Sequence, residues 1–134
     1  PVAAAFASHT PVAPVRPATV ARSLAIGNPA DGDKAVATAR RTGGAVYAVA
    51  EEEVGANMSL LAEHAGVFGE TAAGVSVGAM RRAVDEGRVG PDDRVVLVVT
   101  GDGLKTPGPV EQRLDPIRID ADADAVLERL GVLT

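Results

Sequence analysis

Three short segments hold residues whose types and spacing could do chemistry. In Thr100-Gly101-Asp102-Gly103-Leu104-Lys105-Thr106, two glycines follow the apolar run Val95 to Val99. Ligands of open α/β sheets bind beyond the carboxyl ends of strands, and glycines there let backbone come close to a ligand. The run approaches two phosphate-binding patterns and fits neither. A dinucleotide fingerprint needs a third glycine where Thr106 stands, and a P-loop needs four residues between its glycines and then Gly-Lys-Thr. Taken alone, these residues read as an ordinary tight turn. The segment Ile26-Gly27-Asn28-Pro29-Ala30-Asp31-Gly32 is rigid and turn-rich, and by itself reads as a structural turn between helices. Glu70-Thr71-Ala72-Ala73-Gly74 puts a carboxylate at a helix start with small residues behind it. That carboxylate either complements the helix dipole or points into a cleft where small side chains leave a ligand room.

Other chemistry finds no support. His9 and His64 are far apart and neither has a second ligand at metal spacing, so no metal site is expected. Ser76 lacks the flanking glycines of a nucleophile elbow and falls inside a helical pattern. Glu51, Glu52 and Glu53 read as a solvated helix start. With no cysteine in the chain, disulfides and thiolate metal sites are excluded.

The 134 residues suit one domain, and they are 46% hydrophobic and 2% aromatic with a formal net charge of −5. An acidic, apolar chain is neither disordered nor the footprint of a nucleic-acid binder. Its apolar runs fall far short of the roughly 20 residues of a membrane helix, and its start lacks the pattern of a signal peptide. No membrane association is expected, and a cytoplasmic setting is. A first residue of Pro1 rather than Met suggests a chain that begins inside a longer reading frame.

The elements that must position the three segments alternate in type. Pro1 to Val20, with four prolines, reads as loop with at most one short strand. A short helix from Thr19 stops at Gly27 and Pro29. A second helix, Lys34 to Arg41, has Asp31 and Asp33 as candidate caps. Ala45 to Ala50 reads as a strand. A helix opening at Glu51 carries Val54, Met58, Leu61 and Ala65 on one face, and another from Thr71 carries Ala73, Val77, Met80 and Val84. Arg94 to Thr100 is the strongest strand, continuously apolar as a strand buried on both faces would be, and should lie centrally in a parallel sheet. A last strand at Pro116 to Ile119 and a helix from about Ala121 to Leu130, capped by Asp120, complete the pattern. The expected fold class is α/β, an open and mainly parallel sheet flanked by helices.

Taken in order, the segments Thr19 to Gly32, Gly66 to Val75 and Val98 to Thr106 resemble the carboxyl-terminal part of threonine synthase, with a looser match from about Pro1 to Ile119. The resemblance implies a pyridoxal-phosphate enzyme of the tryptophan-synthase β type (fold type II), in which pyridoxal 5'-phosphate sits between two α/β domains. The implied reaction turns O-phospho-L-homoserine and water into L-threonine and phosphate. The whole chain, 1–134, would be a carboxyl-terminal fragment of that catalytic domain. The missing amino-terminal half would bring the cofactor-linking lysine and the glycine-rich phosphate loop, and the fragment alone would be inactive. The only lysines here, Lys34 and Lys105, do not fall at the family's lysine motif.

The same resemblance makes Thr100 the hydroxyl partner of the pyridine nitrogen and Gly101 the next part of the pocket wall. Ile26 and Gly27 would line the cofactor ring, and Glu70 would stand at the pocket edge. No catalytic residue is assigned within the chain. Two positions depart from the family pattern: Asp102 stands where asparagine is usual, and Ala73 where a second glycine is common. Another lyase of the same fold, such as a threonine or serine dehydratase, is the nearest alternative. A non-catalytic truncated binding module is a further one, and a homodimer of the parent stays open.

Overall fold

The computed structural model describes residues 1–114 and 116–132. Its α-helices are α1 (Val2–Ser8), α2 (Gly32–Arg41), α3 (Glu51–Ala65), α4 (Thr71–Asp85) and α5 (Ala123–Arg129), with 3-10 turns at Arg22–Leu24, Gly103–Lys105 and Gly108–Arg113.

The core lies where α3 meets α4 and the turn Gly108–Arg113. Val54, Met58 and Val110 are buried there, with Val49, Phe68 and Val75 packed around them. Glycines let the two helices come this close. A Cβ on Gly74 would lie 2.6 Å from the carbonyl oxygen of Val54 and 3.0 Å from Met58 Cγ. One turn on, a Cβ on Gly78 would lie 2.7 Å from both Asn57 Nδ2 and Val49 Cγ1. The buried Asn57 is satisfied by the Arg81 guanidinium, which donates to its Oδ1 at 2.9 Å. Glu53, in the first turn of α3, accepts from the Ala50 backbone N–H at 3.3 Å and from Arg82 at 2.8 Å, which ties the start of α3 to the far end of α4.

Both long helices begin where the sequence places them. Elsewhere the expectations need correction. Pro1 to Val20 is not all loop: α1 forms in its alanine-rich opening, because Pro1 sits at the N-cap and the remaining prolines fall after Ser8. The helix ends at His9, which is left-handed with φ 58°. It packs on α2, where Arg40 lies 5.6 Å from the Phe6 ring centre and donates to the Phe6 carbonyl at 3.1 Å. The helix expected from Thr19 shrinks to the 3-10 turn Arg22–Leu24. At the start of α2, the Asp31 carboxylate pairs with Lys34 at 2.8 Å, and Asp33 accepts from the Val12 N–H at 2.8 Å, so neither side chain caps that helix. The start of α5 is capped by Asp122, two residues beyond the expected Asp120, through a bond from Ala125 N at 3.0 Å.

The largest correction concerns the sheet. Among the described residues Ala45–Ala50, Arg94–Thr100 and Pro116–Ile119 form no β-strand, since none of them makes a ladder with a neighbour. Arg94–Thr100 is also not buried on both faces. Two of its odd positions turn toward the helices: Leu97 lies with Leu61, Val77 and Met80, and Val99 Cγ1 lies 3.0 Å from where a Cβ on Gly69 would be, while Val95 is 48% exposed. Its even positions are bare, with Val96 87% and Val98 65% exposed. Alternation of this kind is strand geometry with one layer in place and no flanking strand within the described residues.

Candidate functional site

The loop joining α3 to α4 and the loop after Thr100 run side by side. Gly103 N donates to the Phe68 carbonyl at 2.8 Å and Glu70 N donates to the Gly101 carbonyl at 2.9 Å, around an isolated antiparallel bridge of Gly69 with Asp102. Both glycines of the second loop are needed for this approach. A Cβ on Gly103 would lie 2.6 Å from Phe68 Cγ, and one on Gly101 would lie 2.5 Å from Glu70 Oε1 and 2.9 Å from Glu70 Cγ. In this chain, then, they admit its own side chains. Asp102 Oδ1 accepts from Leu104 N at 2.8 Å, a bond that an asparagine oxygen would make equally well.

Glu70 ends up 8% exposed. The Ser23 hydroxyl, on the turn Arg22–Leu24 packed against α4, donates to its Oε1 at 3.5 Å. Next to it the Thr71 hydroxyl oxygen is buried without a hydrogen-bond partner, while Thr71 N donates to Thr106 Oγ1 at 3.1 Å. A buried hydroxyl with no partner, beside a carboxylate, is costly unless a further polar group reaches the corner. The arrangement therefore suits a polar ligand group.

Of the five residues singled out in the sequence, Gly101 and Glu70 are in contact, and Thr100 precedes Gly101 with its side chain exposed. Ile26 is exposed. Gly27 is packed elsewhere: its carbonyl accepts from Val15 N at 2.9 Å, and a Cβ on it would meet the Val15 carbonyl oxygen and lie 3.0 Å from Pro17 Cδ. The glycine there is required by the passing 15–17 segment.

Ser23 and Thr106 were not singled out, and neither was Glu51, which does more than face water. Its Oε2 accepts from Val20 N at 2.8 Å. The Thr19 hydroxyl, and then the Val20 N–H, hold the Glu51 carboxyl below its ordinary range. A carboxyl depressed in the folded state stabilises that state above its unfolded pKa, and the contribution is lost as pH falls through the lower, folded value. The Val20 amide proton shift should follow that acid titration, and in Glu51→Gln the transition should vanish. An unchanged Val20 titration in the variant would show that the carboxylate does not hold the loop.

Comparison with known proteins gives these residues a context. A family described as pyridoxal-phosphate dependent enzyme matches residues 1–101. Threonine synthase of Methanocaldococcus jannaschii is 36% identical over 115 residues, which are 85% of this chain and 28% of that protein. Threonine synthase of Methanosarcina acetivorans is 38% identical over 115 residues, with the same coverage of 85% and 28%. Threonine synthase of Mycobacterium leprae is 35% identical over 118 residues, 87% of this chain and 33% of that protein. The chain thus spans about a third or less of the length of these curated relatives.

Proposed function

Because the chain belongs to the family of pyridoxal-phosphate-dependent enzymes, we propose that it is the carboxyl-terminal part of a threonine synthase-like lyase that turns O-phospho-L-homoserine and water into L-threonine and phosphate. The family implies the α/β fold of the tryptophan-synthase β type and pyridoxal phosphate as cofactor. In this reading the one-sided segment Arg94–Thr100 gains its flanking strands from the rest of the protein. The observation that carries the proposal is the meeting of the Thr100–Gly101 loop with the buried Glu70.

The corner fits one wall of such a cofactor. Thr100 is exposed at the end of an extended segment, and the Glu70 side chain takes the space beside Gly101 that a Cβ there would fill. The bound cofactor supplies an electron sink for elimination and replacement at an amino acid. Thr100 would hold the ring nitrogen through a neutral hydroxyl, without the pull toward protonation that a carboxylate exerts. Gly101 would continue the wall, Ile26 would line the ring with Gly27 behind it against the 15–17 segment, and Glu70 would close the edge and exclude water there. The cofactor-linking lysine and the phosphate loop would come from the amino-terminal half.

The deciding experiment is turnover of O-phospho-L-homoserine by the intact protein, read as threonine and phosphate in equal amounts. Release of a keto acid and ammonia from threonine or serine would instead identify a dehydratase, and loss of both activities in a protein that keeps its cofactor would refute the lyase reading. A second result is expected for the 134-residue chain mixed with pyridoxal phosphate and reduced with borohydride. Neither Lys34 nor Lys105 should carry stoichiometric label. Full labelling of Lys105 would mean that the chain holds its own cofactor-linking lysine.

A further inference from the structure

The start of α4 is held in an unusual way. The first N–H groups of a helix have no intrahelical partner, and a polar N-cap side chain commonly turns back to accept from one of them. Glu70 occupies the N-cap position of α4 and makes no such bond. Its side chain lies against Gly101 instead, with the Ser23 hydroxyl at 3.5 Å. The N–H of the buried Thr71 is taken by the Thr106 hydroxyl oxygen at 3.1 Å, from 35 residues further along the chain. Thr106 therefore does from outside what the N-cap side chain does in other helices.

Thr106 belongs to the same loop as Thr100 and Gly101. That loop is stitched to the chain around Glu70 by Gly103 N on the Phe68 carbonyl at 2.8 Å, by Glu70 N on the Gly101 carbonyl at 2.9 Å, and by Thr71 N on Thr106. Thr106 N also donates to the Gly103 carbonyl at 3.0 Å, which closes the turn Gly103–Lys105 and fixes the reach of its hydroxyl from Gly103. Of these ties only the one from Thr71 N ends on a side chain. We propose that Thr106 is a positioning residue. By satisfying the start of α4 it leaves the Glu70 carboxylate on the Gly101 side, and it sets the Thr100–Gly101 wall against that carboxylate. Its effect on turnover rests on the lyase reading; its setting of the loop does not.

Thr106→Val keeps the shape of the side chain and removes the acceptor, so the Thr71 N–H is left buried and unpaired. Amide hydrogen exchange and turnover, both measured on the intact protein, test the proposal. Exchange at Thr71, Glu70 and Gly103 should quicken by about tenfold or more, while Met58 in the core keeps its protection. A displacement of an ångström at a reacting centre can cost about 10²-fold. The kcat for O-phospho-L-homoserine, rather than its KM, should therefore fall by about tenfold or more, with the cofactor absorption band retained. Thr106→Ser keeps the hydroxyl and should restore both readings. The double variant Thr100→Ala with Thr106→Val should turn over within about twofold of Thr100→Ala alone, because the two changes remove the same contact. Protection kept at Glu70 and Gly103, equal quickening at Met58, or losses that multiply in the double variant would overturn the proposal. An intact protein with no turnover of O-phospho-L-homoserine would count against the lyase reading, and exchange would still decide whether Thr106 sets the loop.

Discussion

Thr100→Ala in the intact enzyme should keep its cofactor and lose most of its turnover. The substitution removes the proposed partner of the ring nitrogen and nothing that anchors the phosphate or the lysine linkage, both of which the proposal assigns to the amino-terminal half. Deleting one preorganised polar contact at a reacting centre typically costs about 10²-fold or more in rate. Thr100→Ser keeps the hydroxyl and should recover much of that loss, provided its rotamer is still held. Turnover of O-phospho-L-homoserine and the cofactor absorption band, recorded for both variants, separate the possibilities. Unchanged turnover in Thr100→Ala would remove the end of Arg94–Thr100 from the cofactor. Loss of the absorption band would give Thr100 a binding role instead.

The second large effect is on stability. Gly74 sits where α4 presses on α3, with Val54 O only 2.6 Å from where its Cβ would be. Alanine is the better helix former by roughly 1 kcal/mol. Gly74→Ala should nevertheless destabilise the protein, because the nearest atom is backbone and can yield only if a whole helix shifts. Gly74→Val should cost about 3 kcal/mol or more, at or beyond the upper end of ordinary overpacking. The urea midpoint of the intact protein measures both. A midpoint raised by Gly74→Ala would mean that the helices have slack at this crossing.

What could be read from the sequence depended on whether the signal was local. α3 and α4 were legible because Val54, Met58 and Leu61 repeat at helical spacing and Gly66 stops the pattern with a left-handed turn of φ 65°. Arg94–Thr100 was legible as extended apolar chain, but its burial was not, because burial on the second face requires neighbours that the described residues do not supply. The alanine-rich α1 was missed because prolines counted over 1–20 as a whole hid their absence from Val2–Ser8. Gly101 and Glu70 stood out as a glycine beyond an apolar run and a carboxylate at a helix start, and only the resemblance joined them in one pocket. Ser23 and Thr106 left no trace of their roles, since each reaches the corner by a single hydroxyl contact across 47 and 35 residues of chain.

The bare face of Val95–Val99 bears on how the protein is made. Four β-branched valines around Leu97, with neither proline nor charge, are the composition of a sticky segment, and an exposed edge of this kind templates pairing with other copies. The run is fenced on one side by Asp92, Asp93 and Arg94, and on the other by Gly101 and Asp102. Charges in these places act as gatekeepers, and a glycine interrupts extended stacking. Until its outer face is covered, this fence should keep the nascent polypeptide dispersed, so neutralising Asp92, Asp93 and Asp102 should lower the soluble fraction of newly made protein.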